Sequence, residues 1–125
     1  KCSKIYRTIT IYDMAQSKKD EFEPRVSALA RYAKALSHPA RITILETLAK
    51  KATCICGEIV EVLPLAQSTV SQHLKELKEA GLITGEIDGL KSCYCLNSEA
   101  IRELEKLLGS LLKGLNKGIN RNKCC

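Results

Sequence analysis

Residues Leu65–Leu82 read LAQSTVSQHLKELKEAGL, and the fold turns on how this stretch is read. Val70, Leu74 and Leu77 recur at helical spacing on one face, while Ser71, Gln72, Lys75 and Lys78 fall elsewhere. Gly81 stands where a left-handed cap would end the helix, with Leu82 placed to pack back onto it. The first turns carry Gln67, Ser68, Thr69, Ser71 and Gln72, an odd opening for a core helix. It suits a helix that enters a DNA major groove, where such side chains reach base edges and phosphate oxygens. Taken alone, the stretch fits an ordinary amphipathic surface helix equally well. The residues that follow separate the two. Leu82-Ile83-Thr84 runs extended, Asp88-Gly89 is a two-residue hairpin signal, and a second strand-like run ends at Leu96. A helix feeding straight into a two-stranded ribbon has the layout of a winged helix-turn-helix.

The 125 residues have room for one domain with one modest core. Hydrophobic residues make up 45% but aromatics only 4%, so the core must be built from interlocking Leu, Ile, Val and Ala. A formal charge of +6 suits a polyanionic partner, although by itself it is weak evidence. No apolar run reaches the length of a membrane span and no secretory signal opens the chain. The expectation is a cytoplasmic protein with no membrane partner and reduced thiols. The seven cysteines, at positions 2, 54, 56, 93, 95, 124 and 125, form one singleton and three close pairs. An odd count in such pairs argues for thiolate chemistry rather than a secreted disulfide framework.

Residues 1–23 read as an N-terminal extension without helical period. Position 1 is not methionine and the sole methionine is Met14, so part or all of residues 1–13 is expected to lie upstream of the natural start or to be foreign to it. An arm carrying Ile5, Tyr6, Ile9, Ile11 and Tyr12 that packs on a partner subunit is the other reading. A domain is expected over residues 24–115. Its first helix begins at Pro24, a first-turn residue, with an apolar stripe of Val26, Leu29, Ala30, Ala33 and Leu36. Ser37-His38-Pro39 breaks it, since the residue before proline is pushed out of the helical region. His38 is read as a turn residue rather than a ligand. Pro39 opens a second helix, with Ile42, Leu45 and Leu48 inward and an end near Lys50-Lys51. A short extended piece at Thr53-Cys54 leads to a third helix over about Gly57–Leu63, with Ile59, Val60 and Leu63 facing in, and Pro64 forces the turn into the recognition helix.

Beyond Gly81 the ribbon spans Leu82–Ile87 and Leu90–Leu96, with Gly85 marking a bulge or bend and Lys91 in reach of a phosphate. Alternation puts Ser92, Tyr94 and Leu96 on one face and Cys93 and Cys95 on the other. Ser98 is expected to cap a long last helix striped by Ile101, Leu104, Leu107, Leu108, Leu111, Leu112, Leu115 and Ile119. That is more apolar surface than one small core absorbs, and it reads as a dimerisation face; folding back wholly onto its own subunit is the alternative. Residues 116–125 form a basic tail ending in Cys124-Cys125. The fold class is therefore mainly α with a small β-hairpin, ordered α-α-α-α-β-β-α, dimeric through its terminal helices.

With the segments LSHPARITILETL, CICGEI and QSTVSQHLKELKEAGLI and the Asp88-Gly89 wing, residues 24–115 resemble the ArsR/SmtB family of metal-responsive repressors. The resemblance implies a homodimer that binds double-stranded operator DNA and releases it on a metal, metalloid or redox signal. The opening of the recognition helix and the wing tip assign DNA contacts to Gln67, Ser68, Thr69, Ser71, Gln72, Lys75 and Lys91, and the resemblance makes His73 a structural part of that helix. It also matches Cys54-x-Cys56 to the family's thiolate box, which supplies inducer ligands in arsenite- and cadmium-sensing members. Two departures stand out. Ile59 occupies the place of a third cysteine found in some members, and the last helix has no histidine of the kind that builds zinc or nickel sites in others.

Thiolates select soft centres, so the expected inducer is As(III) or Sb(III), with Cd(II) a further possibility; DNA binding itself needs no cofactor. Cys54 and Cys56 share a face only if that segment is extended. Cys93 and Cys95 are the next candidate ligands, should the wing strand pair beside Thr53-Cys54, followed by Cys124 and Cys125 and then Cys2. A redox or persulfide sensor on the same scaffold is the alternative. A thiol oxidoreductase or metal carrier is disfavoured, because there is no Cys-x-x-Cys beside a βαβ unit and no nucleophile–base pair, and no enzymatic activity is expected.

Overall fold

The computed structural model describes residues 21–51, 54–56, 63–85 and 93–121. In order they form α1 (Pro24–Leu36), α2 (Pro39–Lys51), β1 (Ile55–Cys56), α3 (Gln67–Glu79), β2 (Ile83–Gly85), β3 (Cys93–Leu96) and α4 (Ser98–Arg121). The expected third helix (apart from Leu63, which is buried), the Asp88-Gly89 turn, Lys91, Cys2, Cys124 and Cys125 lie outside the described residues. The strands make one antiparallel sheet in the order β1-β3-β2. The wing is thus backed by a third short strand.

The recognition helix α3 buries Val70, Leu74 and Leu77 as its spacing demands. It ends in a Schellman cap. Gly81 takes φ +84°, its N–H donates to the Lys78 carbonyl (2.9 Å), and the Leu82 N–H donates to the Leu77 carbonyl (3.1 Å). Leu77 and Leu82 are fully buried in the core, together with Ile44, Leu48, Val70 and Ile83. Gly85 is required for a different reason. Its φ is +142°, and a Cβ there would collide with the backbone carbonyl of Cys93 across the β2–β3 pairing.

Two helices face the core differently from their expected stripes. In α1 the buried residues are Tyr32 and Ala35, while Val26, Ala30 and Ala33 are exposed. Alanines on every side of this helix leave its pattern ambiguous, and the one large ring decides. Tyr32 fills the core and its hydroxyl donates to Glu103 Oε2 on α4 (2.6 Å), a bond that raises its pKa above the ordinary value, with burial adding to the effect. In α2 the inward residues are Ala40, Ile44 and Leu48, with Leu45 half-buried and Ile42 exposed. His38 does act at the turn: its carbonyl accepts from the Arg41 and Ile42 N–H groups, and its Nδ1 accepts from the Ala40 N–H (3.1 Å).

The cap of α4 is Asn97 rather than Ser98. Asn97 Oδ1 accepts from the Ala100 N–H (3.4 Å), its Nδ2 donates to the Gly81 carbonyl (2.9 Å), and its own N–H donates to the Leu82 carbonyl (3.0 Å). The amide suits this double role because its donor and acceptor are separate atoms, Nδ2 reaching one helix end and Oδ1 another helix start, whereas a serine has a single short-armed oxygen for both. Such a cap is worth about 1 kcal/mol. Here it also ties the end of α3 to the start of α4. Helix α4 then runs on to Arg121, anchored by buried Ala100 and half-buried Ile101, Leu104 and Leu107.

Candidate nucleic-acid interface and thiol site

Apart from buried Val70, the first turns of α3 stand clear of the core. Gln67, Ser68, Thr69, Ser71, Gln72 and Lys75 are all exposed, so every described residue assigned to DNA contact is available. Ala66 at the N-cap offers no side-chain acceptor to the first turn, which leaves the helix start suited to a phosphate. Gln72 Nε2 donates to Glu76 Oε1 one turn on (3.3 Å). That bond holds the amide along the helix while keeping it on the outer surface.

Behind α3 sits a hub that sequence spacing did not disclose. Arg41 Nη2 donates to the Lys34 carbonyl (3.4 Å) and Ser37 Oγ (3.3 Å), and Nη1 lies 3.9 Å from Glu76 Oε2. Its guanidinium therefore joins the end of α1, the start of α2 and the outer flank of α3. The rings of His38 and His73 lie with centroids 4.3 Å apart, joining the α1–α2 turn to the middle of α3. Burial pushes the His73 pKa below its ordinary 6.5, and His38 and Arg41 push the same way against the opposing pull of Glu76.

A His whose pKa falls on folding binds protons more readily when unfolded, so stability is full above pH 6.5 and lost as pH drops towards the lower folded value. Urea midpoints measured from about pH 7.5 down to about pH 5 should fall for the natural chain and fall less for His73→Gln. Parallel slopes for the two would show that His73 carries none of the acid sensitivity.

The cysteines converge on the sheet. Ile55 pairs with Tyr94 and Cys56 with Cys93, so in the same antiparallel register Cys54 stands opposite Cys95. Ile55 and Tyr94 are both 4% exposed and face the core. Positions 54, 56, 93 and 95 alternate with them and fall on the other face of the β1–β3 ladder. Cys54 and Cys95 are joined in a disulfide with Cα atoms 4.4 Å apart, and Cys93 is disulfide-bonded as well. Cys54 is exposed, whereas Cys93 and Cys95 are half-buried. The extended form needed for Cys54 and Cys56 to share a face is therefore present, and the wing strand does lie beside it. In this oxidised pairing no group of three or more His, Cys, Asp or Glu side chains among the described residues is arranged to hold a metal ion. The donor set fits a soft metal only once reduced, because the thiolate is the ligand and a disulfide sulfur is not.

No described helix is long and apolar enough to cross a membrane. The chain matches a family described as helix-turn-helix domain over residues 36–86. It is 37% identical over 93 residues to the arsenical resistance operon repressor of Bacillus subtilis (strain 168), spanning 74% of this chain and 85% of that protein. It is 41% identical over 71 residues to the transcriptional repressor SmtB of Mycobacterium tuberculosis, covering 57% of this chain and 52% of that one. A crystal structure described as a possible transcriptional regulator for arsenical resistance superposes with a TM-score of 0.58 at 25% identity, over 72% of this chain and 94% of that one. A recognition helix with its outer face free, a wing strand running into the last helix and relatives of this extent lead to one conclusion: the chain belongs to the ArsR/SmtB family of winged helix-turn-helix transcriptional repressors.

Proposed function

We propose that this repressor binds operator DNA as a homodimer and leaves it when a thiophilic species, As(III), Sb(III) or Cd(II), is captured by Cys54 and Cys56. One observation carries the reading: Cys54-x-Cys56 lies extended at the entry to the helix-turn-helix and within the same ladder as Cys93-x-Cys95. Capture there draws on the backbone upstream of α3, which supplies the differential contact an effector needs. The similarity to the arsenical resistance operon repressor of Bacillus subtilis supports a metalloid inducer. Fluorescence anisotropy on a duplex selected by the protein from a random pool tests it. Arsenite or Cd(II) should displace the reduced protein, and displacement by neither would remove the proposal.

The DNA-reading role makes its own prediction. Gln72→Ala or Ser71→Ala should weaken binding to the selected duplex by ~1–3 kcal/mol per lost base contact and leave binding to a scrambled duplex nearly unchanged. Lys91→Ala should instead weaken both and flatten the salt dependence. Equal losses on the two duplexes for Gln72→Ala would contradict base reading by this residue.

The Cys54–Cys95 disulfide favours a second reading, in which oxidation itself is the signal. A small-molecule disulfide would exchange with the two thiols, forming the protein disulfide and releasing two equivalents of small thiol. In that case the oxidised and reduced proteins differ in DNA affinity with no metal present, and the same anisotropy assay separates the readings.

A further inference from the structure

We infer that Glu76 is a positioning residue for base reading: it fixes the Gln72 amide in one orientation and so sets the recognition helix to accept adenine and reject guanine. The inference rests on Gln72 reading a base edge. It adds the residue that aims the amide and the base that the amide prefers.

Gln72 and Glu76 stand four residues apart on α3, a spacing at which side chains meet along a helix. Gln72 Nε2 donates to Glu76 Oε1 (3.3 Å). A carboxylate offers acceptors only, so the amide can face it only through its NH2 group. Turned the other way, Gln72 would set oxygen against oxygen. Glu76 is itself held from behind. Its Oε2 lies 3.9 Å from Arg41 Nη1, and that guanidinium is fixed by the Lys34 carbonyl (3.4 Å) and Ser37 Oγ (3.3 Å). The Arg41 side chain is 13% exposed and that of Glu76 39%, so the support is rooted in the protein while the amide reaches outward. A fully exposed ion pair would hold little. This one ties the reading face of α3 to the junction of α1 and α2.

With one Nε2 hydrogen committed to Glu76, Gln72 presents Oε1 and its second Nε2 hydrogen, an acceptor beside a donor. Adenine shows the matching pair in the major groove, a donor at N6 and an acceptor at N7. Guanine shows two acceptors, O6 and N7, and one of them would fall against Oε1. Cytosine and thymine each satisfy one of the two groups. An untethered glutamine is less selective, because it can turn both Nε2 hydrogens towards guanine.

The test selects duplexes from a random pool with the full chain, kept reduced by a dithiol, and with its variants, and ranks them by competition anisotropy. Gln72→Ala should lose its preference at one position of each half-site. The natural chain should select an A·T pair there, and changing it to G·C should weaken binding about tenfold. Glu76→Ala should lose the preference at that same position and no other, with most of the G·C penalty gone. Glu76→Asp should retain it, since glutamine and aspartate four residues apart still bond. Glu79→Ala removes an exposed acid further along the helix and should leave the preference as it is, which separates aim from charge. Helical content and affinity for a scrambled duplex check folding. A full penalty in Glu76→Ala, or a G·C pair selected there by the natural chain, overturns the positioning role. So does a preference lost by Glu76→Ala at a position that Gln72→Ala leaves intact, which would make Glu76 a direct base contact. If Gln72→Ala keeps the whole preference profile, base reading by Gln72 itself fails, and the role of Glu76 falls with it.

Discussion

Leu108→Glu is expected to yield a monomer with little specific DNA affinity. Leu108, Leu111, Leu112, Leu115 and Ile119 follow one another along one side of α4, and their exposure climbs from 38% to 69% towards its end. Such a stripe is stable in water only if something covers it, and a second copy of the same helix is the self-complementary solution. Each leucine buried there contributes about 1.5–3 kcal/mol, so a carboxylate in its place removes one such contribution and adds a desolvation cost. Two recognition helices must reach half-sites about one helical turn apart, roughly 34–36 Å, which one subunit cannot do. Losing the second contact forfeits an avidity of ~10²–10⁴. Leu108 lies outside the buried cluster, so the monomer should keep its helical content. Sedimentation velocity together with anisotropy checks the point, with Lys106→Glu on the polar flank as the neutral control. A persistent dimer for Leu108→Glu would refute this interface.

The legible parts of the chain are those whose information is local. The α3 stripe and its Gly81-Leu82 cap could be read directly, because three apolar residues at helical spacing and one glycine admit a single arrangement. The facing of α1 could not, since Ala28, Ala30, Ala33 and Ala35 mark several sides alike and only the packing of Tyr32 against Glu103 chooses between them. Asn97 and Ser98 are both good caps side by side. What selects Asn97 is the Gly81 carbonyl sixteen residues earlier, a contact no local pattern contains. The Arg41 hub is invisible for the same reason, being assembled from three helices. At the thiol site the two C-x-C spacings announced that each pair shares a face when extended. The register that sets Cys54 against Cys95 is a long-range property of the sheet.

That register sharpens the expected behaviour of Cys54→Ser and Cys56→Ser, which should fold and bind DNA nearly as the natural chain does but fail to release it with arsenite. Serine keeps the small shape, while its hydroxyl is a hard, weakly acidic group that cannot replace a thiolate towards a soft centre. Cys54 is exposed, so its replacement costs little packing. A response of about a hundredfold in DNA affinity corresponds to a coupling near ~2.7 kcal/mol, within the range of allosteric proteins. Reciprocity then requires operator DNA to weaken arsenite binding by the same factor, which titration with and without the selected duplex measures. Oxidation supplies a control on the natural chain: with Cys54 tied to Cys95 the protein should ignore arsenite, and a dithiol should restore the response. If the Cys54→Ser/Cys56→Ser double variant still leaves DNA at the same arsenite concentration, those two thiols are not the inducer site. If oxidation alone shifts DNA affinity while arsenite does nothing to the reduced protein, the disulfide is the signal and the thiols are its sensor.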